Sequence, residues 1–276
     1  MSYDFLDVLK YNDGFWQYSG GPYLAELTSG KISTVFLNTG IVTTDPELLA
    51  RAAVVLLINA GLLSLPKQVF SEHAFKLNEY CTVKPTEDNT RITHVIGPAF
   101  GGIALALEVA RILGAKALFT EPVYKTPFRQ DRIDEYNRWN GNGGKGAVWH
   151  EPATIKDGQT FRFDLPNNAK ILFVEDVITT GQSTREMMCA VKASDAVPNV
   201  LCLVNRNYSQ KHDAFVGSIE MNTGNTYESS LGKISSLVNV KARIWNSLED
   251  AQKDCPNAVA TLKPKKNWAQ LISGKL

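Results

Sequence analysis

The sequence predicts an α/β fold in which a mostly parallel sheet carries helices on its faces. Short β-branched runs alternate with helical patterns from about residue 91 to residue 204, and this alternation is typical of parallel strands joined by crossover helices. The chain has 276 residues, of which 44% are hydrophobic and 21% are charged, so it can bury a large core and is too apolar for a disordered chain. One large domain, alone or with an appended subdomain, is therefore expected.

The individual elements follow from capping residues and hydrophobic periods. Residues 43–47, TTDPE, place a capping Thr or Asp before Pro and an acid, so they predict the start of a helix that runs to about Asn59. The predicted order after it is strand 91–96, helix 103–113, strand 115–121, strand 169–174, helix 183–193 and strand 200–204. Residues 124–158 are polar and rich in Gly and Asn, which predicts a mobile loop.

Neither export nor membrane insertion is predicted. The longest apolar run, residues 48–65, contains Arg51 and Asn59, so a buried amphipathic helix is expected there. Residues 1–7 carry acids and lack the apolar core of a secretory signal. The cysteines lie too far apart for a zinc or redox motif and favour buried free thiols in a reducing cytoplasm. They are Cys81, Cys189, Cys202 and Cys255.

The charge balance limits the kinds of partner. The formal net charge is +1, so no overall basic field would attract nucleic acid or an acidic membrane. An anionic ligand must instead be bound by a local site. The best candidate for such a site lies where strand 169–174 meets helix 183–193.

Residues 173–184, with the sequence FVEDVITTGQST, form that junction. Ligands bind at the carboxyl ends of parallel strands, and a helix N-terminus favours an anion. Gly181 would let the backbone approach a phosphate closely. Glu175 and Asp176 would repel phosphate, so they are better suited to ribose hydroxyls. The segment therefore predicts a ribose 5-phosphate site; strand-end acids beside an ordinary helix cap are the other interpretation.

A second Gly-rich loop, residues 97–102 with the sequence GPAFGG, ends the preceding predicted strand and opens a helix. Taken alone, it would be interpreted as a turn. Beside the first junction in one sheet, its backbone N–H groups suit the pyrophosphate of a phosphoribosyl donor.

Both segments resemble known sequences. Residues 173–184 resemble, nearly residue for residue, the phosphoribosyl pyrophosphate (PRPP) signature of the type I phosphoribosyltransferases, and residues 97–102 are similar to a loop of the bacterial orotate phosphoribosyltransferases. Other stretches that resemble the same enzymes are residues 29–38, 119–121, 204–206, 234–238, 254–256 and 263–264. The resemblance runs, with gaps, from about Leu27 to Trp268.

The resemblance implies a type I phosphoribosyltransferase fold in a single domain of residues 1–276. About residues 1–80 would form an N-terminal hood segment, about 90–208 the PRPP-binding core with a lid loop at about 124–158, and about 209–276 a C-terminal extension. It also implies Mg²⁺-dependent transfer of the 5-phosphoribosyl group from PRPP to orotate, which yields orotidine 5′-phosphate and pyrophosphate in pyrimidine biosynthesis. The implied setting is a cytoplasmic homodimer without nucleic-acid or membrane partners.

The resemblance further implies a role for each candidate site residue. The catalytic candidates are Glu175, Asp176 and Lys125, with Mg²⁺ held through PRPP near Asp176. The 5′-phosphate would be bound by Thr179, Thr180, Gly181, Gln182, Ser183 and Thr184, and the pyrophosphate by Ala99, Phe100, Gly101 and Gly102. Arg206 would meet the orotate carboxylate with two parallel hydrogen bonds. Lys31 and Phe36 would contact the base or the donor, and core packing is the other interpretation for Phe36.

Two positions depart from the family pattern. Gly101 stands where some orotate enzymes carry a lysine, and Pro122 follows Glu121 where a lysine is expected. The cation of the lid is therefore open among Lys125, Arg129, Arg132 and Lys145, with Arg162 on a lid-exit strand. A phosphoribosyltransferase for a purine or another base, and a regulator that binds the nucleotide without turnover, are the competing hypotheses.

Overall fold

The computed structural model describes residues 5–27, 30–64, 82–83, 91–125, 155–179, 181–191, 196–206, 214–220, 226–240 and 242–274. The N-terminal elements are α1 (Phe5–Tyr11), β1 (Phe15–Gln17), β2 (Tyr23–Glu26), β3 (Ile32–Ser33), β4 (Val35–Leu37), α2 (Gly40–Thr43), α3 (Pro46–Asn59), β5 (Leu63–Ser64) and β6 (Thr82–Val83). The middle elements are β7 (His94–Pro98), α4 (Gly101–Leu113), β8 (Lys116–Lys125), β9 (Ile155–Thr160), β10 (Ile171–Ile178), α5 (Gln182–Val191) and β11 (Ala196–Asn205). The C-terminal elements are β12 (Ala214–Glu220), β13 (Thr226–Asn239), β14 (Ile244–Trp245), α6 (Leu248–Asp254), β15 (Ala260–Leu262) and α7 (Pro264–Ser273).

The described residues form a seven-stranded central sheet with the order β12-β13-β11-β10-β7-β8-β9. Neighbouring strands from β13 to β8 pair in parallel, whereas the edge strands β12 and β9 pair antiparallel. The predicted α/β class with a mostly parallel sheet is therefore confirmed. Because β7, β10 and β11 are parallel, their carboxyl ends lie at one edge of the sheet, where the candidate segments begin.

The apolar run of β10 shows why the central strands form. Leu172 and Val174 are buried in the cluster that holds α3 and α4, while Ile171 and Phe173 are buried in the cluster that holds α5. Successive side chains point to opposite faces of a strand, so a strand covered on both faces needs a continuous apolar sequence. Burial on both faces fixes the position of β10 in the sheet. It thereby also fixes the position of the residues that follow Val174.

Helix α3 begins where its capping residues predict. The Asp45 carboxylate accepts hydrogen bonds from the backbone N–H groups of Glu47 (2.9 Å) and Leu48 (3.1 Å), and Pro46 occupies the first turn. The helix ends at Asn59, before Gly61 with a φ of 75°. Among the described residues, no helix is both long enough and apolar enough to span a bilayer.

A second sheet joins the two ends of the chain. Its strand order is β14-β3-β2-β15, so β2 and β3 of the N-terminal part pair with β15 and β14 of the C-terminal part. We call this four-stranded sheet, together with α6 and α7, the hood. The ion pair between Lys263 Nζ and Glu26 Oε1 (3.2 Å) also joins these parts, as does burial of Leu271 against Tyr23 and Ala25.

The predicted loop at residues 124–158 needs correction at both ends. Strand β8 continues through Pro122 to Lys125 and pairs with β9, which begins at Ile155. β9 is an edge strand of polar sequence, and a strand paired on one side only needs no continuous apolar run. Residues 126–154 lie outside the described residues. Strands β12 and β13 lie in a part of the chain for which the sequence analysis predicted no strands, because its short apolar runs are mixed with Gly, Ser and Asn.

The cysteines in the described part of the chain are free thiols. Cys202 and Cys255 are buried and Cys189 is half-buried, while Cys81 lies outside the described residues. Burial, followed by the nearby Glu175 and Asp176 carboxylates, raises the pKa of the Cys202 thiol well above its ordinary value. A thiol of raised pKa is a poor nucleophile, so Cys202 packs the core beneath the candidate site.

Candidate active site

The carboxyl end of β10 carries the two candidate acids. The sequence suggested that they follow the strand, but β10 extends to Ile178 and contains both. Glu175 is only 5% exposed, whereas Asp176 is half-buried. Asp176 is therefore the more accessible of the two carboxylates.

The predicted phosphate segment continues from β10 into α5. Thr179 is exposed, and Gly181 has a φ of 74°, a left-handed conformation that favours glycine. The N–H of Arg185 donates to Gly181 O at 3.0 Å, which closes the first turn of α5. The N–H groups of such a turn point away from the helix and favour an anion. Thr180 lies outside the described residues.

The side chains at the start of α5 differ in accessibility. Thr184 is buried at 2% exposure, and Ser183 is half-buried. Gln182 Nε2 donates to Glu186 Oε1 at 2.8 Å, so the amide lies along the helix. The half-buried Ser183 hydroxyl is therefore more accessible to a phosphate than the buried Thr184 hydroxyl.

The second loop joins β7 to α4. The Ala99 N–H donates to Thr120 O at 2.8 Å, which ties the loop to β8, and the peptide bond between Ala99 and Phe100 is cis. A Cβ at Gly97 would lie 2.5 Å from Gly102 O, so the loop can close this tightly only without a side chain there. The Phe100 ring is 84% exposed beside the loop.

The two segments meet at Gly101 and Asp176. A Cβ built on Gly101 would lie 2.5 Å from Asp176 Cγ and 2.6 Å from Asp176 Oδ1. The absence of a side chain at position 101 thus lets the acid of β10 pack directly against the loop after β7. In this chain the Asp176 carboxylate occupies the space that a Cβ at position 101 would need.

Asp176 has a further partner that the sequence did not reveal. Thr39 Oγ1 donates to Asp176 Oδ2 at 3.0 Å, and the N–H of Val177 donates to Asp176 Oδ1 at 2.8 Å. Thr39 follows β4 and directly adjoins residues 29–38, which carry the N-terminal resemblance. A contact across 137 positions of sequence has no local signal, so no motif could have identified it.

Arg206 lies at the end of β11 but reaches into the N-terminal segment. Its Nη2 donates to Ser33 Oγ at 2.8 Å and to Val35 O at 3.1 Å. Its Nε is buried and has no hydrogen-bond partner among the described residues. Burial lowers the pKa of the guanidinium from its ordinary value, although an arginine stays protonated in proteins. Arg206 thus joins the core sheet to the hood.

The other candidate contacts of the base, Lys31 and Phe36, have partners of their own. The Phe36 ring packs in the hood, 5.6 Å from the Trp268 ring between centroids. Lys31 is exposed, and its carbonyl accepts the Leu27 N–H at 2.8 Å across a turn. The packing interpretation therefore describes the contacts of Phe36 in this structure.

The cations considered for the lid are mostly outside the described residues, namely Arg129, Arg132 and Lys145. Lys125 is the last residue of β8, and its side chain is also outside them. Arg162 Nη2 lies 2.9 Å from Glu121 Oε2, so the arginine that follows β9 pairs with an acid of β8.

The donor chemistry at Asp176 fits Mg²⁺. Within the described ranges no group of three or more His, Cys, Asp and Glu residues could hold a metal. Mg²⁺ prefers oxygen ligands and keeps several waters and substrate oxygens, so one half-buried carboxylate is sufficient. Asp176 is the residue beside which the ion would lie, held through oxygens of the donor and through water rather than by a direct bond to the carboxylate.

Comparison with known proteins identifies relatives. The family model described as phosphoribosyl transferase domain matches residues 71–228. The orotate phosphoribosyltransferase of Methylobacterium sp. (strain 4-46) is 27% identical over 182 residues, 66% of this chain and 65% of that enzyme. The enzyme of the same name from Pelotomaculum thermopropionicum is 38% identical over 117 residues, 42% of this chain and 46% of that enzyme. The chain therefore spans less than two thirds of the length of either relative.

Solved structures give a similar comparison. The orotate phosphoribosyltransferase from Aeropyrum pernix superposes with a TM-score of 0.43 at 18% identity, covering 91% of this chain and 97% of that chain. The adenine phosphoribosyltransferase from Rhodothermus marinus superposes with a TM-score of 0.44 at 15% identity, covering 85% and 98%.

Proposed function

Because the chain belongs to the phosphoribosyltransferase family, we propose that it transfers the 5-phosphoribosyl group from PRPP to orotate and releases pyrophosphate. The observation that carries the proposal is the contact between Gly101 and Asp176 at the carboxyl edge of the parallel sheet. This contact brings a backbone loop suited to pyrophosphate against a carboxylate suited to ribose hydroxyls. The names of the curated relatives supply the choice of orotate.

The reaction requires positioning more than a side-chain nucleophile. The bond between the anomeric carbon and the pyrophosphate oxygen breaks, and the leaving group keeps the electron pair. A ring nitrogen of orotate donates the pair that forms the new bond, and the proton on this nitrogen passes to the departing pyrophosphate or to water. Positive charge therefore develops on the ribose while negative charge grows on pyrophosphate. Preorganised hydrogen bonds and charges stabilise such a transition state.

The chain's own residues would divide this work. Asp176 and Glu175 would accept hydrogen bonds from the ribose hydroxyls and place a negative field beside the developing cation. Backbone N–H groups at the start of α5 would hold the 5′-phosphate, and those of residues 99–102 would hold the pyrophosphate. Bound Mg²⁺ would offset the negative charge of the pyrophosphate.

Orotate would be held on the hood side of the site. Arg206 carries a positive charge at the same sheet edge as Asp176, and a guanidinium can meet a carboxylate through two nitrogens. The two hydrogens of Nη2 are donated to Ser33 Oγ and Val35 O. The orotate carboxylate would therefore have to displace Val35 O, the more distant of these two acceptors, to accept a hydrogen bond from Nη2. Lys31 and Phe36 would contact the base or the donor from the N-terminal segment.

A lid would complete the site by excluding water. Residues 124–158 begin and end in the antiparallel pair of β8 and β9, which supports a loop anchored at both ends beside the sheet edge. Water would otherwise capture the ribosyl cation. Lys125, at the base of this loop, is the proposed lid cation. A cytoplasmic homodimer remains the proposed setting.

The test separates donor from acceptor. Purified protein, Mg²⁺ and PRPP are mixed separately with orotate, uracil, hypoxanthine and adenine, and pyrophosphate release is followed. We expect pyrophosphate release only in the mixture that contains orotate. Turnover with a purine and none with orotate would overturn the acceptor. Binding of PRPP with no turnover on any base would favour the regulator that binds the nucleotide.

A further inference from the structure

We propose that Thr39 is a positioning residue for the phosphoribosyl donor, because its hydroxyl fixes the Asp176 carboxylate in the orientation that receives the ribose hydroxyls. The inference rests on the proposed function, since it assumes that Asp176 contacts the ribose. It concerns donor binding only and does not depend on which base is the acceptor.

The hydrogen bonds of Asp176 leave a defined capacity for a ligand. An ionised carboxylate offers about four lone-pair sites on its two oxygens. Thr39 Oγ1 occupies one site on Oδ2, and the N–H of Val177 occupies one on Oδ1. Each oxygen therefore keeps one site that no described residue occupies, which matches the two vicinal hydroxyls of a ribose. Two fixed donors on different oxygens also prevent free rotation of the carboxylate.

Thr39 is itself held firmly. Its side chain is 5% exposed, and its carbonyl accepts the N–H groups of Val42 and Thr43, each at 3.0 Å. Thr39 is the N-cap residue of α2, a position where a threonine hydroxyl ordinarily accepts a backbone N–H of the helix. Here the side chain makes no capping bond. The hydroxyl is directed at Asp176 instead of stabilising its own helix.

Gly101 closes a third side of the same carboxylate. The Asp176 carboxylate fills the space in which a Cβ on Gly101 would lie, and it is closer to that position than a Cβ could tolerate. The carboxylate is thus enclosed by the loop after β7, its own strand and the segment after β4. Loss of the Thr39 hydroxyl would remove the only one of these restraints that comes, among the described residues, from another side chain.

The experiment compares Thr39→Val, which keeps the shape and removes the hydroxyl, with Thr39→Ser, which keeps the hydroxyl. The affinity for Mg²⁺-PRPP is measured by calorimetry without any base. A hydrogen bond to a charged group contributes enough that we expect Thr39→Val to weaken donor affinity by about ten- to a hundredfold, and Thr39→Ser to restore most of it. The control is Thr43→Val in α2, whose hydroxyl contacts only Gly40 O at 3.4 Å among the described residues.

The outcomes are distinguishable from failure of the proposed function. Wild-type donor affinity in Thr39→Val, or an equal loss in Thr39→Ser or in Thr43→Val, would overturn the positioning role. A lowered melting temperature with unchanged donor affinity would do the same, because Thr39 would then be structural only. If the wild-type protein binds PRPP but does not use orotate, the proposed acceptor is wrong. The role of Thr39 is then still decided by the PRPP affinities of the Thr39 and Thr43 variants. If the wild type does not bind PRPP, both proposals fail.

Discussion

The proposed donor half and the proposed acceptor half of the candidate site lie at the same edge of the sheet but are built in different ways. The donor half consists of two continuous segments, residues 97–102 and 175–184, each of which leads from a buried parallel strand into a helix. The acceptor half joins Arg206 to Ser33 and Val35 by side-chain hydrogen bonds that span more than half of the chain. The first half depends on backbone conformation and the second on a long-range contact.

This difference predicts how each half responds to substitution. In the donor half, a side chain matters mainly where it would fill space that must stay open, or where it carries the carboxylate proposed to bind the ribose hydroxyls. In the acceptor half, the guanidinium and its partners matter as a network, because removal of one member leaves another buried polar group without a partner. Variants should therefore separate by substrate: donor variants change PRPP binding and turnover, and acceptor variants change the KM for orotate.

The largest effect is expected from Asp176→Asn in the donor half. The amide keeps the shape but removes the negative charge beside the developing ribosyl cation, so turnover should fall by about two orders of magnitude, the scale of one transition-state contact. Steady-state pyrophosphate release measures kcat. The matched control is Asp164→Asn at an exposed position. Activity close to wild type in Asp176→Asn would remove this acid from the mechanism.

Gly101→Ala should affect the same half by steric crowding alone. The added Cβ would lie 2.5 Å from Asp176 Cγ, so the carboxylate must move and give up its bonds to Thr39 and Val177. Overpacking of this kind costs enough that we expect about a ten- to hundredfold loss of PRPP affinity by calorimetry. Gly21→Ala, with nothing within 4 Å of its Cβ, is the control. Unchanged affinity would mean that the loop and the acid are not packed as one donor site.

The halves also differ in what the sequence could predict. The strand, loop and helix order of the donor half follows from local patterns, because the apolar residues of β10 are buried on both faces and Gly181 marks a left-handed turn. Thr39 could not be predicted, since its partner lies 137 positions away. The contacts of Arg206 were equally inaccessible, because its partner Ser33 belongs to a hood strand only two residues long.

Arg206→Lys should produce a smaller effect that is confined to the acceptor half. Lysine keeps the positive charge but cannot bond the hood and a carboxylate through separate planar nitrogens. We expect the KM for orotate to rise by about tenfold or more, the scale of one hydrogen bond to a charged group, while PRPP affinity stays unchanged. Arg243→Lys, at an exposed position of the hood side, is the control. An equal loss of PRPP affinity would show that Arg206 supports the whole sheet edge rather than the acceptor.

The smallest effect is expected from Ser33→Ala, which tests whether the hood contact helps or hinders Arg206. Ser33 is fully buried, and its hydroxyl bridges Arg206 Nη2 and Val35 O, each at 2.8 Å. If Ser33 orients the guanidinium, its loss should raise the KM for orotate by about three- to tenfold, as expected for one net hydrogen bond, with PRPP affinity unchanged. Ser236→Ala, which removes a bond to Asn239 on β13, should change neither quantity. A lower KM for orotate in Ser33→Ala would show the opposite arrangement, in which the hood competes with the carboxylate for the same nitrogen and orotate must displace it to bind.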